Sequence, residues 1–363
     1  MSRTIDVAPL VDAVSGTEVR AFRTAARSRG SNWGAFSVAQ LISGALVGAV
    51  VAAVLLSSLL SIAGILVDSA VGGANPVTAV APLAVRVVLG GAVAVILRSL
   101  FGARRWERLM RMDRFAAANG LVFSPRDAAP SYPGAIFTQG RSREARDHFR
   151  SAAGRFLDFG NFHYVTGSGK NQQRHAWGFL ALKLDRNLPH MVLDARANNG
   201  IFGSTLPGSL AKDQVLSLEG DFDRHFTLYC PSAYERDALY VFTPDLMALL
   251  IDEAAAFDIE IVDDWFFLYS PRVFPLADPA TYQRLLRIVD TVGAKTLTQS
   301  DGYVDDRFAG GGYMNDRFAA APQQFVVAPQ GRRLRRGFPG VAILVVAVFV
   351  VLWGWSVVSG LLN

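Results

Sequence analysis

The chain is poor in the residues that build most recognisable sites. It has one cysteine, Cys230, in 363 residues, so no intramolecular disulfide can form and a disulfide scaffold is excluded. Cys230 ends the apolar-aromatic run that starts at Phe226 and reads as a buried structural thiol, since a nucleophile needs a lowered pKa and access. Lysine occurs only at 170, 183, 212 and 295, arginine carrying the rest of the positive charge, which reads as a compositional bias of the genome. The five histidines, at 148, 163, 175, 190 and 225, include no pair at metal-binding spacing. There is no Gly-x-Ser-x-Gly elbow and no His-Glu-x-x-His, so serine hydrolase and zincin readings lack their usual marks. Gly167-Ser-Gly-Lys170 has only a fragment of a phosphate loop and reads as a hairpin turn.

Charge of either sign is also scarce, at 18% against about 25% in an average protein, while 51% of the chain is hydrophobic. That balance excludes a disordered or collagen-like chain. It also argues against an ordinary soluble globule, because the apolar excess sits in three blocks. No charge occurs between Arg29 and Asp68, and residues 36–67 are almost wholly apolar. The second block, 82–101, carries Arg86 and Arg98 near its ends, and the third is 339–362. A membrane span needs about 20 apolar residues, so three transmembrane helices are expected. The polar segment 1–34 ahead of the first makes it an uncleaved anchor rather than a signal peptide.

Basic flanks set the expected orientation. Arg20, Arg23, Arg27 and Arg29 precede the first block, and the connecting loop 68–81 has no basic residue. Arg104, Arg105 and Arg108 follow the second block, and Arg332, Arg333, Arg335 and Arg336 precede the third. The expected arrangement is a multi-pass protein of the cell (inner, cytoplasmic) membrane. Its N-terminus and main domain are cytoplasmic, its C-terminus is extracytoplasmic, and these arginines lie against the lipid bilayer. The net charge of +5 invites a nucleic-acid reading, but residues 115–331 hold 20 basic and 25 acidic residues. No nucleic-acid partner is expected.

Residues 102–295 read as an α+β domain of antiparallel strands with flanking helices. A helix over 102–120 is followed by a short helical piece at 143–151. Strands are predicted at 155–165, 175–184, 190–195, 215–219 and 225–230 by alternation and turn signals. Thr243-Pro244-Asp245 and Asp278-Pro279 each place a capping side chain before a proline at the first helical position. Strands at 259–262 and 265–269 are expected to meet in a turn at Asp263-Asp264. Residues 296–337 read as a flexible linker holding a ten-residue near-repeat, which begins at Gly302 and again at Gly312. Tyr303, Phe308, Tyr313 and Phe318 would anchor a protein partner through residues 300–320.

The stretch from Gly167 to Pro271 resembles a family of bacterial membrane-anchored proteins whose domain has no known function. The matching residues are Gly178-Phe-Leu-Ala-Leu182, Glu219-Gly-Asp-Phe-Asp-Arg-His-Phe-Thr-Leu-Tyr229 and Tyr240-Val-Phe-Thr-Pro-Asp-Leu-Met247. Glu235-Arg236-Asp237-Ala238 departs from the order of that family's acidic-arginine step. The resemblance implies a membrane-tethered inside domain and carries no activity or catalytic residue.

The most chemical-looking constellation is Asp221-x-Asp223-x-His225. If that stretch is extended, the three side chains share one strand face and two carboxylates with an imidazole suit a divalent ion or acid–base work. No cofactor is otherwise implied. The reading is therefore a membrane protein whose cytoplasmic domain is a binding, scaffold or sensory module. The sequence leans against an enzyme without excluding one. Two alternatives stand beside it: a membrane-tethered hydrolase using Asp221, Asp223 and His225, and an accessory subunit of a larger membrane complex. Ligand and oligomeric state stay open.

Overall fold

The fold is described from a computed structural model, which defines residues 5–30, 33, 38–70, 88, 90–91, 95, 104–128, 130–200, 203–305, 307 and 327–336. The chain forms two compact units, one of residues 11–114 and one of residues 1–10 with 115–363.

In the smaller unit, helix α1 (Gly16–Ser28) opens on a capping box. The Ser15 hydroxyl takes the Glu18 amide, and the Glu18 carboxylate takes the Ser15 amide. Phe22 packs edge-on against Trp33 and Trp106, and Arg23 and Arg27 lie 6.0 and 5.9 Å from the centroid of the Trp106 ring. Arg29 pairs with Asp113 and Arg114 with Glu18, both at 2.9 Å. Much of the positive charge that reads as a membrane flank in the sequence thus has partners in this unit.

Helix α2 (Val38–Ala70) is 33 residues long. Among the described residues, no helix is long and apolar enough to cross a membrane. This corrects the expectation of three transmembrane helices, and with it the reading of the chain as a multi-pass membrane protein. A span needs about 20 consecutive apolar residues. In α2 the apolar run is interrupted by Ser57, Ser58 and Ser61. The hydroxyls of Ser57, Ser58 and Ser61 turn back onto carbonyls of the preceding turn. The 82–101 block, apart from residues 88, 90, 91 and 95, lies outside the described residues, as does 339–362.

The larger unit is an antiparallel sheet with flanking helices. Its strands are β1 (Leu121–Ala128), β2 (Arg141–Ser151), β3 (Leu157–Thr166), β4 (Gln173–Ala195), β5 (Val215–Leu216), β6 (Phe226–Tyr229) and β7 (Asp258–Ser270). They lie in the order β1-β2-β3-β4-β6-β5, with β7 along the other edge of β4. The 23-residue β4 is the spine. Its first half pairs with β3, its last four residues pair with β6, and it meets β7 from Gly178 to Leu193.

Three local differences from the sequence expectations share one cause, a break of register within a continuing strand pair. The 143–151 stretch is strand, not helix. Asp147 has φ of 47° and the β2–β3 register shifts there, so the buried residues fall in pairs that imitate helical spacing. The strands expected at 175–184 and 190–195 are one strand with a register shift between Lys183 and Leu188. Asp263, at φ of 53°, continues β7 opposite Leu188, where β4 carries the surplus residues, rather than making a turn.

Alternation along the strands gives the sheet two aromatic faces. On one, Phe162, Trp177, Phe179, Phe267 and Tyr269 are covered by Ile136 and Phe137 from the 135–138 turn. On the other, Phe149 stacks on Phe159 at 5.3 Å and both meet Tyr282 of helix α5 (Pro279–Ile288). The two short helices α3 (Glu235–Val241) and α4 (Pro244–Leu249) precede it, and helix α6 (Ala294–Asp301) follows it. Asp278 caps α5 by accepting the Ala280 amide, as its place before Pro279 predicts.

The turn over the first face is fixed by Glu260, which is 2% exposed. Its Oε2 accepts the Ala135 amide and the Tyr269 hydroxyl, both at 2.7 Å, and its Oε1 accepts His190 Nε2–H at 2.8 Å. His190 Nδ1 in turn accepts the Leu334 amide at 3.0 Å. The described part of segment 296–337 packs on this unit too. Tyr303 is buried with its hydroxyl on Asp237, and Asp305 accepts from Tyr234 and from the Ala328 amide. Phe308, Tyr313 and Phe318 lie outside the described residues.

Close packing between β2 and β3 makes one glycine testable. A Cβ on Gly160 would sit 2.6 Å from the His148 Cα, a backbone atom that cannot swing aside. Gly160→Ala is expected to cost about 1–3 kcal/mol of stability, read as a lower urea midpoint; an unchanged midpoint would contradict this packing.

Candidate functional site

The sequence-derived candidates do not assemble into a site. Residues 222–225 form one helical turn, so the strand alternation that would align Asp221, Asp223 and His225 is absent. Asp223 is used locally, accepting the Ser217 hydroxyl and the Leu218 amide. Among the described residues, no group of three or more His, Cys, Asp or Glu is placed to hold a metal ion. Cys230 is buried, and burial, with Glu235 and Asp237 adding, pushes its thiol up to about 11, the opposite of an activated nucleophile.

The arginines expected at the membrane have other neighbours. Arg105 reaches the Trp33 carbonyl at 3.4 Å, while Arg104 and Arg108 are exposed. Arg332 donates to the Val327 carbonyl, and Arg333 grips Asp263 through two bonds of 2.9 Å. Arg335 pairs with Asp213, its backbone exchanges two bonds with Gln214, and Arg336 bridges to Leu210.

What the structure does bring together is a groove of about 390 Å³ on the face that carries Trp177 and Phe267. Its walls are Tyr132, Phe156 and Trp265, all partly exposed, and its cations are Arg150 and Lys183. The Tyr132 and Trp265 centroids are 5.1 Å apart, and those of Phe156 and Trp265 5.5 Å. Each cation lies against a ring. Lys183 Nζ is 4.3 Å from the Trp265 centroid and the Arg150 guanidinium 5.5 Å from that of Phe156.

Strand pairing explains the convergence. Arg150 on β2 lies directly across from Asp158 on β3, and Lys183 on β4 lies across from Trp265 on β7. Asp158, fully buried, anchors two of the lining residues. It accepts His148 Nδ1–H at 3.0 Å, the Tyr132 hydroxyl at 2.5 Å and Arg150 Nη2 at 3.2 Å. Burial, then the Asp158 charge, raises the Tyr132 hydroxyl well above its ordinary pKa, so it stays a donor. Arg150 Nη2 lies 3.2 Å from Asp158 and 3.6 Å from Asp127, and Lys183 meets Asp264 at 2.7 Å. Each cation carries more donors than these contacts use.

A wider cleft of about 980 Å³ opens on the opposite face, between Leu157 and Leu182 of the sheet and Val289 and Leu297 of the helices. Its Arg155 is already engaged by Asp185 through two bonds of 2.7 Å. The smaller groove has the richer chemistry. Its residues are scattered from 132 to 265, so only the short strand pairing signals of β2–β3 and β4–β7 could have announced it.

No protein-family model matches the sequence, and no curated protein matches it. Among solved structures, the mycobacterial trehalose monomycolate transport factor A, TtfA, is similar over 50% of this chain and 93% of its own. The identity is 10% and the TM-score 0.33. At that score the likeness supports no inference about this chain.

One titration follows from the β2–β3 edge. Burial, then Arg146, pushes the His163 imidazole down to about 4 against the opposing pull of Glu144. The unfolded chain takes up that proton near 6.5, so between pH 6.5 and 4 it binds more protons than the fold and stability drops as pH falls. The urea midpoint is expected to fall more steeply across that window in the natural chain than in His163→Gln. Equal slopes would contradict the assignment.

Proposed function

We propose that the larger unit is a binding domain for a small planar organic anion, taken up in the groove of Tyr132, Phe156 and Trp265. One observation carries this reading: two cations with donors to spare are seated against aromatic rings in a single open groove of about 390 Å³. That volume lies in the range of ordinary ligand pockets, about 300–1,000 Å³. A flat apolar ligand body stacks on Trp265 and Phe156, and its carboxylate or phosphate receives hydrogen bonds from Lys183 and Arg150. Asp158 holds Tyr132 and Arg150 in place beforehand, so little ordering is needed on binding. The buried His148–Asp158 pair holds Tyr132 and Arg150 in place rather than acting on a ligand, because His148 is only 2% exposed.

Calorimetric titration of the full chain with 2-naphthoate and with the neutral 2-naphthamide tests the proposal. Naphthoate is expected to saturate one site and naphthamide to bind at least tenfold more weakly. Lys183→Gln is expected to weaken naphthoate by about tenfold, near 1.4 kcal/mol and at the lower edge of a charge-assisted hydrogen bond. Equal binding of the two ligands, or indifference to Lys183→Gln, would contradict it.

A further inference from the structure

The first copy of the near-repeat, which begins at Gly302, is seated on the larger unit. Tyr303 is buried and donates its hydroxyl to Asp237 Oδ1 of α3 at 2.9 Å. Arg307 grips the same carboxylate, with Nη2 at 2.9 Å from Oδ2 and Nη1 at 3.2 Å from Oδ1, and Nη2 also donates to the Ala233 carbonyl. Its guanidinium lies 4.1 Å from the centroid of the Tyr234 ring. Asp305 Oδ2 accepts the Tyr234 hydroxyl at 2.8 Å and the Ala328 amide at 2.9 Å, and its Oδ1 accepts the Arg307 amide at 3.0 Å. Gly302 lets the Tyr240 hydroxyl come close, since a Cβ there would stand 2.6 Å from it. Val304, between these contacts, is 46% exposed. The surface formed by Ala233, Tyr234, Asp237, Tyr240 and Ala328 therefore reads Gly-Tyr-x-Asp-x-Arg.

The second copy keeps what that surface reads. Gly312, Tyr313 and Arg317 repeat Gly302, Tyr303 and Arg307, and Met314 falls at the exposed position of Val304. Asn315 stands where the first copy has Asp305. An asparagine side-chain oxygen has two lone pairs, enough for the Tyr234 hydroxyl and the Ala328 amide. It lacks only the second carboxylate oxygen, which in the first copy serves Arg307. Connectivity favours the same molecule as the place of binding. Arg307 and Ala328 both donate to Asp305, so the two ends of the 308–326 stretch are fixed at one carboxylate. A sequence carried between them reaches the surface at high effective concentration.

We propose that this surface is a recognition site for the sequence Gly-Tyr-x-Asp/Asn-x-Arg, and that residues 312–317 of the same chain are its second ligand, exchanging with 302–307. The first copy is favoured because it follows α6 directly and has the carboxylate at 305. The second takes the surface when the first is released. The site shares no residue with the aromatic groove.

Thermal melting of the full chain tests this with two mild pairs of substitutions. Tyr313→Phe with Arg317→Gln is expected to leave the Tm of the natural chain unchanged. Tyr303→Phe with Arg307→Gln is expected to lower it, and to lower it further when the second copy carries its own pair, because no replacement ligand is left. To that combined variant a fluorescein-labelled peptide of residues 311–320 is expected to bind at least tenfold more tightly than to the natural chain. An equal drop in Tm in the two backgrounds would overturn the proposal, as would peptide binding no tighter than that of the natural chain. A photo-reactive benzophenone side chain at position 314, the counterpart of exposed Val304, gives a reading that needs no weakened fold. It is expected to cross-link within one chain to the 233–240 segment. Cross-links only to other segments, or only between chains, would overturn the assignment.

Discussion

The Glu260 carboxylate holds together the parts of the larger unit that strand pairing cannot. It sits on β7, takes the hydroxyl of Tyr269 from the same strand, the amide of Ala135 from the covering turn and the imidazole of His190 from β4. Because His190 Nδ1 accepts the Leu334 amide, its proton must lie on Nε2, facing Glu260. One buried charge is thereby satisfied by three donors from three segments, and a fourth segment is attached through the ring. Each bond to a charged acceptor is worth about 1.5–3 kcal/mol, and each donor left behind would be buried and unpaired.

Asp158 plays the same role two strands away, on β3. Tyr132 and Phe137 belong to the short stretch between β1 and β2 that Glu260 pins at Ala135, and Asp158 pins its other end through the Tyr132 hydroxyl. The aromatic groove is the outward side of this double attachment. Trp265 stands on β7 and the cations Arg150 and Lys183 on β2 and β4, so the β2–β3 and β4–β7 ladders place these three, while Tyr132 and Phe156 come from the connecting segments beside them.

Part of this architecture is legible in the sequence. Asp278-Pro279 and Thr243-Pro244 mark real helix starts, and alternation finds β3, most of β4, β6 and both halves of β7. What misleads is the bulge. At Asp147, Lys183–Leu188 and Asp263 the period of two is interrupted within a continuing strand, so the pattern reads as a helix, a gap or a turn. The hydrogen-bonding carboxylates Asp158 and Glu260 are invisible for another reason. Each is one acidic letter in an apolar run, and its donors come from residues up to 125 positions away. The apolar block at 36–67 misleads in turn: a run of apolar letters states how much surface avoids water, not what covers it. Asp221, Asp223 and His225 look chemical because the sequence cannot show that a helical turn, rather than a strand, carries them.

Amide hydrogen exchange of Glu260→Gln, compared with the natural chain, addresses the role of this carboxylate. If one buried charge holds both the 135–138 turn and the 327–336 segment, the amides of Ala135 and Leu334 lose protection together, by tenfold or more, while the β2–β3 amides stay as they were. Loss of protection in one of the two segments with full retention in the other would show that they are secured separately.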